Sequence, residues 1–216
     1  MILAVIFDLD GTVLANEDEY GAAFAFVLNK LGKKVNSAYP HIGGIGVKEN
    51  WPHLLATYKI KTDKTIEELT KETQDAYLSQ LNKVELKPGF DIFVGELKEN
   101  GLKTALATSN DWWIMDEVFH ALSLDKYFDV TTTGEEVADK KPAPDLFLIT
   151  ADKLGIVPEA CLVLEDSQAG IDAARSAGIK VIGIARDEKH AKSLKGADEI
   201  IFHYSELSFA RINTLV

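Results

Sequence analysis

Residues 4–12, AVIFDLDGT, constrain the fold of this chain more than any other stretch. The apolar run 4–7 predicts a buried strand that ends at Asp8, and two carboxylates, Asp8 and Asp10, follow it directly. Charged groups beside apolar packing need a partner, a metal ion or a catalytic task. A strand that leaves its sheet through a glycine turn marks the edge where open α/β sheets bind ligands. A purely structural polar turn is the alternative interpretation of DLDG.

Beyond Pro88 the sequence alternates short apolar runs with helical patterns, which predicts right-handed crossovers and a parallel sheet covered by helices on both faces. We therefore predict an α/β fold with a Rossmann-like parallel sheet core. The predicted strands after the first are residues 103–107, 129–133, 160–164 and 180–185, with a short edge strand at 199–202. The predicted helices are residues 91–100, 111–122, 144–154 and 167–177.

Residues 16–87 show helical spacing instead, with amphipathic helices predicted at 21–31, 51–58 and 65–81. The glycine-rich stretch 41–47 lacks the spacing of a dinucleotide-binding loop, and we interpret it as a turn between helices. The chain is thus expected to carry a small all-helical cap domain inserted after the first strand. The predicted domains are a core of residues 1–15 and 88–216 and a cap of residues 16–87.

The charge and the amino-terminal sequence limit the possible partners. The net charge of −11 and the pI near 4.9 argue against nucleic acid and anionic membranes, which both require a basic face. No apolar run reaches membrane-spanning length, and the amino terminus lacks the basic region of a signal peptide. The single cysteine, Cys161, lies in an apolar run and is predicted to be a buried thiol. We expect a cytoplasmic protein that acts as a monomer or a weak homodimer.

Polar side chains follow the predicted strands at one edge of the sheet. Because the carboxyl ends of parallel strands share an edge, we expect these side chains to meet. Two carboxylates come after the first strand, three hydrogen-bonding side chains after residues 103–107 and two acids after residues 160–164, while a lysine precedes the helix at 144–154. These residues are Asp8 and Asp10; Thr108, Ser109 and Asn110; Glu165 and Asp166; and Lys141.

The same four groups, taken in their order along the chain, resemble the four motifs of the haloacid dehalogenase superfamily. The stretches DLDGT at 8–12, TSN at 108–110, KP at 141–142 and ED at 165–166 match the first to the fourth motif. KPAPD at 141–145 and EDSQAGI at 165–171 are similar to the β-phosphoglucomutase-like branch, whose small helical cap corresponds to the predicted insert. The resemblance spans the whole chain and implies phosphoryl transfer through an aspartate nucleophile.

The chemistry of a phosphate monoester fits these residues. The monoester is anionic, so a carboxylate that attacks it needs its charge neutralised by a hard cation such as Mg²⁺. Asp8 is the predicted nucleophile, and Asp10 is the predicted acid and base for the leaving oxygen and the incoming water or hydroxyl. The resemblance assigns Mg²⁺ to the Asp8 carboxylate, the Asp10 carbonyl and Asp166, with Glu165 as a ligand or as a residue behind the ligands.

Four further residues are predicted to bind the phosphate. By the resemblance, Thr108 donates to a phosphoryl oxygen, and Lys141 offsets the charges of the phosphate and of Asp8. Ser109 and Asn110 are predicted to orient the phosphate or to cap the following helix.

The predicted cap departs from the mutases of this branch at two points. Those mutases carry an Arg near the position of Lys48, where it binds the distal phosphate of the substrate, and Lys lacks the planar fork of Arg. They also carry a His in the hinge, where this chain reads NEDEY at 16–20. Lys48 is a candidate substrate contact, and the acidic hinge favours hydrolysis over mutase activity.

Three other residues near the motifs are predicted to have structural roles. Lys140 is expected to be a solvated neighbour of Lys141. Trp112 and Trp113, at the start of the helix after the second motif, are expected to pack in the core, with the substrate entrance as the alternative. The five histidines show no metal-ligand spacing and receive no role.

The predicted function is that of a Mg²⁺-dependent phosphatase whose partner is a small phosphorylated metabolite, namely a sugar phosphate. A β-phosphoglucomutase-type mutase, which passes the phosphoryl group from the same aspartate to a sugar hydroxyl, is the close alternative. A non-catalytic phosphate- or protein-binding module on the same fold is the alternative from another class. Such a module is expected to lack Asp8 or Asp10, and both are present.

Overall fold

The computed structural model describes residues 1–35 and 37–215. In this part of the chain the strands are β1 (Ala4–Phe7), β2 (Leu14–Ala15), β3 (Glu85–Leu86), β4 (Lys103–Ala107), β5 (Val130–Thr132), β6 (Cys161–Glu165), β7 (Lys180–Ile184) and β8 (Glu199–Ile201). Six of them form one parallel sheet in the order β5-β4-β1-β6-β7-β8. The predicted parallel sheet core is therefore confirmed, and β1 lies inside it between β4 and β6.

The helices of the described residues are α1 (Glu17–Lys30), α2 (Val47–Thr57), α3 (Ile66–Leu78), α4 (Phe90–Glu99), α5 (Trp112–Leu122), α6 (Asp145–Leu154), α7 (Gln168–Ser176), α8 (Glu188–Ala191) and α9 (Phe209–Ile212). Within residues 1–35 and 37–215, none of these helices combines the length and the apolar character that a membrane span requires.

Side chains of β1 alternate between two hydrophobic cores, one on each face of the sheet. Val5 and Phe7 pack on the face that also contains α4 and α5 residues, whereas Ala4 and Ile6 pack with residues of α6 and α7. A strand that is buried on both faces is apolar throughout rather than alternating, which explains the unbroken apolar run before Asp8.

Three helices, α1, α2 and α3, lie between β2 and β3 in the chain and pack against one another. Trp51 and Tyr77 are fully buried among them, and the Trp51 Nε1 donates to Thr73 Oγ1 over 3.1 Å. The start of α3 is fixed by a capping box, in which Thr65 and Glu68 satisfy each other's backbone N–H groups. This helical layer carries the residues that reach across to the edge of the sheet.

The structure differs from the all-helical prediction for residues 16–87 in one detail. Strand β3 lies within this range and pairs antiparallel with β2, so that Leu14 is opposite Leu86 and Ala15 is opposite Glu85. The segment that leads from the sheet into the helical layer and the segment that leads back therefore run side by side. A two-residue strand is too short to show a periodicity in the sequence. The division into domains at 15/16 and 87/88 stays a prediction.

The glycine-rich turn at 41–47 brings the helical layer into contact with the rest of the chain. Gly44 has a φ of +81°, and a Cβ atom at this position would overlap the side chain of Ser167. Glycine is therefore required here for the close approach as well as for the backbone conformation. The predicted turn between helices also acts as a contact surface.

Candidate active site

The carboxyl ends of β1, β4 and β6 lie side by side. Phe7 at the end of β1 is in register with Leu106 of β4 and with Leu164 of β6. The residues that follow these strands leave one edge of one sheet, so they become neighbours although they are far apart in the sequence. Asp8 and Asp166 are both buried at this edge.

Lys141 is at the centre of this edge. Its side chain is fully buried, and Nζ lies 2.5 Å from Asp8 Oδ1 and 2.6 Å from Glu165 Oε1. It also donates to the carbonyl oxygen of Ala107 at 3.3 Å. The other carboxylate oxygen of Glu165 accepts from the backbone N–H and the hydroxyl of Ser167, both at 2.8 Å. Ala107 of β4 and Glu165 of β6 therefore hold Lys141 against Asp8, the predicted nucleophile, which follows β1.

The charges around Lys141 do not balance. Burial acts to lower the pKa of Lys141, but the carboxylates of Asp8 and Glu165 outweigh it and raise this pKa above its ordinary value. Burial raises the pKa of Asp8 to about 8; Lys141 opposes this shift, while Glu165 and Asp10 add to it. Burial, reinforced by Glu165 and Asp8, also raises the pKa of Asp166 well above its ordinary value. One ammonium group therefore does not suffice to keep all of these buried carboxyl groups ionised, and a further cation would favour their charged forms.

Asp8, Glu165 and Asp166 could hold such a cation. Each offers a carboxylate oxygen, and these oxygens all lie within 4.8 Å of one another. Oxygen donors of this kind suit a hard divalent cation, and Mg²⁺ is commonly shared between protein carboxylates and a phosphate. The donor set and its excess of negative charge therefore fit the predicted metal.

The carboxylate of Asp10 is held by two amides. Asn16 Nδ2 donates to Oδ1 over 2.5 Å, and Asn110 Nδ2 donates to Oδ2 over 2.7 Å. Burial raises the pKa of Asp10 to about 6, although both hydrogen bonds act to lower it. A carboxyl group with a pKa close to neutral can both release and accept a proton, which general acid–base catalysis requires.

Sequence reasoning missed Asn16 as a residue of the site. Its side chain is fully buried, and besides Asp10 it donates to the hydroxyl of Tyr77 over 2.8 Å. The hydroxyl of Tyr20 donates to Asn110 Oδ1 over 3.3 Å, and the rings of the two tyrosines stack with centroids 3.9 Å apart. Residues of the helical layer thus position Asp10. The sequence carries no signal for this, since Asn before a helix is ordinarily a capping residue.

Thr108 and Ser109 lie at the end of β4 and make different contacts. Thr108 is buried, and its Oγ1 accepts from the backbone N–H of Asn110 at 3.2 Å. Ser109 Oγ donates to the carbonyl oxygen of Gly44 at 2.9 Å, which ties the second motif to the glycine-rich turn. Neither Ser109 nor Asn110 is the N-cap residue of α5, which is Asp111. The phosphate-binding role of these residues stays a prediction.

Lys140 is not the solvated neighbour that the sequence predicted. Its side chain is only 17% exposed, and Nζ lies 3.3 Å from Glu49 Oε1 and 3.4 Å from Asp111 Oδ1. It also donates to the carbonyl oxygen of Ser109 at 3.4 Å. Because Glu49 belongs to α2, Lys140 links the helical layer to the second motif.

A cavity of about 300 Å³ opens beside Asp10 and Asp166. The helical layer contributes Phe24 and His41 to its wall, and the loop after β7 contributes Arg186. Its volume is at the small end of the range for ligand pockets. Sequence reasoning missed Arg186 and His41, since neither lies in a motif and the histidines show no metal-ligand spacing.

Trp112 and Trp113 are not in the core, contrary to the prediction. They are 51% and 41% exposed, because later residues form the apolar face of α5. Trp113 instead lines an open groove together with Lys48, whose ammonium pairs with Glu67 at 3.1 Å. Lys48 is not among the described residues that line the cavity beside Asp10, so the structure does not bring it to the other predicted site residues.

A comparison with family models matches residues 5–184 to the haloacid dehalogenase-like hydrolases. This chain belongs to that family. The matched range contains all four predicted motifs, so the family assignment and the geometry concern the same residues.

Relatives of this hydrolase agree with the assignment. A protein from Thermotoga maritima named phosphorylated carbohydrates phosphatase is 33% identical over 200 residues, which cover 91% of this chain and 92% of the relative. The β-phosphoglucomutase of Clostridium difficile has a TM-score of 0.88 at 26% identity, over 100% of this chain and 97% of that one. CbbY from Rhodobacter sphaeroides, solved in complex with phosphate, has a TM-score of 0.87 at 27% identity, over 99% of this chain and 100% of that one. The resemblance read from the four motifs is confirmed.

His41 gives the stability of this hydrolase a defined dependence on pH. Its ring stacks on Phe24 with centroids 4.8 Å apart, and burial lowers its pKa to about 4. The unfolded chain therefore binds this proton at a higher pH than the folded chain does. The contribution of His41 to stability is complete above about pH 6.5 and falls by roughly 3 kcal/mol as the pH decreases to about 4.

Denaturant unfolding of the wild type and His41→Phe at about pH 7 and about pH 4.5 isolates this contribution, which only the wild type loses. The raised pKa values of Asp8 and Asp10 act in the opposite direction, but both proteins share them. His53→Phe, at an exposed position of α2, is the control and keeps the wild-type dependence. Equal pH dependence in His41→Phe and the wild type would contradict a buried neutral imidazole.

Gly170 lies in the first turn of α7, directly beside Glu165. A Cβ atom there would overlap the carboxylate of Glu165. We expect Gly170→Ala to lower the free energy of unfolding by about 1–3 kcal/mol, and to reduce activity by moving Glu165 away from Lys141. Gly95→Ala in α4 is the matched control, because a Cβ atom there would meet nothing within 4 Å beyond its chain neighbours and the nearby backbone of its own helix. The control should gain about 0.5–1 kcal/mol in denaturant unfolding, and wild-type stability of Gly170→Ala would refute the close contact.

Proposed function

We propose that this hydrolase is a Mg²⁺-dependent phosphatase that acts on a small phosphorylated carbohydrate through an aspartyl phosphate on Asp8. The observation that carries the proposal is a pair of unlike carboxyl groups. Asp8 is bound to Lys141 at 2.5 Å, whereas Asp10 is held by two amides and has a pKa of about 6. The relative named phosphorylated carbohydrates phosphatase supports the substrate class.

In the first step, a carboxylate oxygen of Asp8 attacks the phosphorus atom, and the bond from phosphorus to the sugar oxygen breaks. Asp10 gives its proton to the departing oxygen, so the sugar leaves as a neutral alcohol. Lys141 stays against Asp8 and offsets its charge and that of the phosphoryl group. Thr108, at the end of β4, donates to a phosphoryl oxygen.

In the second step, a water molecule attacks the phosphorus atom of the aspartyl phosphate, and Asp10 accepts the proton of that water. The bond from phosphorus to the Asp8 oxygen breaks, inorganic phosphate leaves, and both carboxyl groups return to their first state. The amides of Asn16 and Asn110 keep Asp10 in one place during both steps, so the residue that gave the proton also receives one.

Mg²⁺ would be held by the carboxylates of Asp8 and Asp166, which lie close enough together to share an ion, and by the backbone carbonyl of Asp10, as the family resemblance implies. We place Glu165 behind these ligands, because both of its oxygens already accept hydrogen bonds, one of them from Lys141. When bound, Mg²⁺ supplies positive charge against the charge that develops on the transferring phosphoryl group.

A phosphosugar mutase is the second candidate, because the β-phosphoglucomutase structure matches this whole chain. It would use the same aspartyl phosphate and pass the phosphoryl group to a sugar hydroxyl. A mutase must bind a second phosphate at the far end of its substrate. Lys48 lies in the open groove rather than in the cavity, and Arg186 is paired with Glu17, which supports hydrolysis as the first choice.

The test is ³¹P NMR of the protein with Mg²⁺ and a panel of sugar monophosphates, including β-glucose 1-phosphate primed with a trace of glucose 1,6-bisphosphate. We expect an inorganic phosphate resonance that grows with time and is abolished by EDTA. A growing glucose 6-phosphate resonance would identify a mutase instead. An unchanged spectrum for every compound would contradict both enzymes and favour a binding module.

A further inference from the structure

The cavity beside Asp10 contains an ion pair that the proposed chemistry does not use. Arg186 Nη1 lies 2.8 Å from Glu17 Oε1, and both residues line the cavity. Glu17 is the first residue of α1 and Arg186 follows β7, so the pair joins the helical layer to the sheet. The guanidinium also lies over the ring of Tyr39, 4.6 Å from its centroid. Two partners from the helical layer thus hold Arg186.

We propose that the Glu17–Arg186 pair makes the cavity select phosphate monoesters whose remaining part is uncharged and hydroxylated, and reject compounds that carry a second phosphate. The inference rests on the proposed phosphatase function and defines its substrate class. Glu17 and Arg186 are, in this view, residues that determine specificity, and neither takes part in the chemical steps.

The charges around the cavity oppose a second phosphate. Arg186 is the one arginine or lysine among the described residues of the wall, which also carries the carboxylates of Asp10, Asp166 and Glu17. A phosphate adds about −1.5 to −2 charges, and the positive charge of Arg186 that would attract it is already offset by Glu17 at 2.8 Å. Lys48 does not replace Arg186, because it lines the open groove and is paired there with a glutamate.

Uncharged sugar hydroxyls, in contrast, can bind to the Glu17–Arg186 pair by hydrogen bonds. The Arg186 guanidinium has further N–H donors beyond the one directed at Glu17, and the Glu17 carboxylate has further lone pairs. A hydroxyl can therefore donate to Glu17 or accept from Arg186 while the ion pair stays intact. The cavity volume of about 300 Å³ suits one small ligand of this kind.

The experiment compares kcat/KM for compounds that differ by one phosphate: glucose 6-phosphate against glucose 1,6-bisphosphate, and fructose 6-phosphate against fructose 1,6-bisphosphate. For the wild type we expect a preference for the monophosphates of about tenfold or more. Glu17→Gln frees Arg186 and removes one negative charge, so the preference should fall by about tenfold, chiefly through a higher kcat/KM for the bisphosphates. Glu19→Gln makes the same charge change in α1 outside the cavity wall and keeps the wild-type preference.

Two outcomes overturn the inference: a wild-type preference for the bisphosphates, or a Glu17→Gln preference within about twofold of the wild type. An unchanged preference in Glu17→Gln would mean that the Glu17–Arg186 pair has only a structural role, which is to hold α1 against the sheet. Failure of the proposed function is distinguishable, because then neither these compounds nor p-nitrophenyl phosphate releases phosphate. In that case calorimetry of the same compounds with Asp8→Asn measures the preference as a ratio of affinities, and equal affinities overturn the inference.

Discussion

Asp8→Asn is expected to abolish phosphate release, with a loss of about 10⁴-fold or more in the turnover of p-nitrophenyl phosphate. The amide nitrogen and oxygen of Asn are poor nucleophiles, so the aspartyl phosphate cannot form. The variant should still fold, because Asn has the shape of Asp and Lys141 keeps Glu165 as a partner at 2.6 Å. A loss of activity with an unchanged unfolding midpoint therefore reports on chemistry.

The control for this substitution is Asp91→Asn, at an exposed position of α4, which should keep wild-type turnover. Both variants are assayed with Mg²⁺ and again with EDTA, so that metal-independent background is subtracted. Turnover of Asp8→Asn within about tenfold of the wild type would remove Asp8 as the nucleophile.

Lys141→Met is expected to impair both activity and stability. Turnover should fall by about 10³-fold, because no ammonium then offsets the charge at the transferring phosphoryl group. The free energy of unfolding should fall by about 3–5 kcal/mol near neutral pH, since the carboxylates of Asp8 and Glu165 remain buried without their cation. Denaturant unfolding followed by circular dichroism measures this loss.

The stability loss of Lys141→Met should depend on pH. Without the ammonium, the pKa of Asp8, already raised to about 8, rises further, so the folded state binds this proton more readily than the unfolded state. Stability is therefore retained at low pH and lost as the pH rises through the folded-state pKa. The deficit relative to the wild type should be smaller at about pH 5.5 than at about pH 8.

Lys140→Met is the matched control, because it removes the same charge one residue away. Lys140 is partly exposed, and its ion pairs of 3.3 and 3.4 Å are longer than those of Lys141, so we expect a loss of about 1 kcal/mol or less. A Lys141→Met variant that is as stable as Lys140→Met at neutral pH would contradict the buried ion-pair network.

The sheet and the centre of the site could be predicted because they depend on where strands end. A strand buried on both faces must be apolar throughout, so the change from Phe7 to Asp8 marks the end of β1 in the sequence itself. A change from apolar to polar residues also follows β4, at Thr108, and the predicted bounds of this strand, 103–107, are the observed ones. Parallel pairing then brings these ends to one edge, whatever the order of the strands.

Contacts made by the helical layer could not be predicted in the same way. Asn16 reaches Asp10, and Glu17 reaches Arg186, only after chain segments far apart in sequence have come together. Before that, these residues look like the polar start of a helix and a charged loop. The error at Trp113 has another cause: burial of tryptophan is an average tendency, and the first turn of α5 lies at the surface.

The most direct test of the central claim is a rapid-quench experiment with a ³²P-labelled sugar phosphate and Mg²⁺, followed by proteolysis and mass spectrometry. We expect a labelled phosphoryl group that is released by hydroxylamine, located on the peptide that contains Asp8 and absent from Asp8→Asn. Phosphate release with no label on the protein, or with label on any other residue, would contradict an aspartyl phosphate at Asp8.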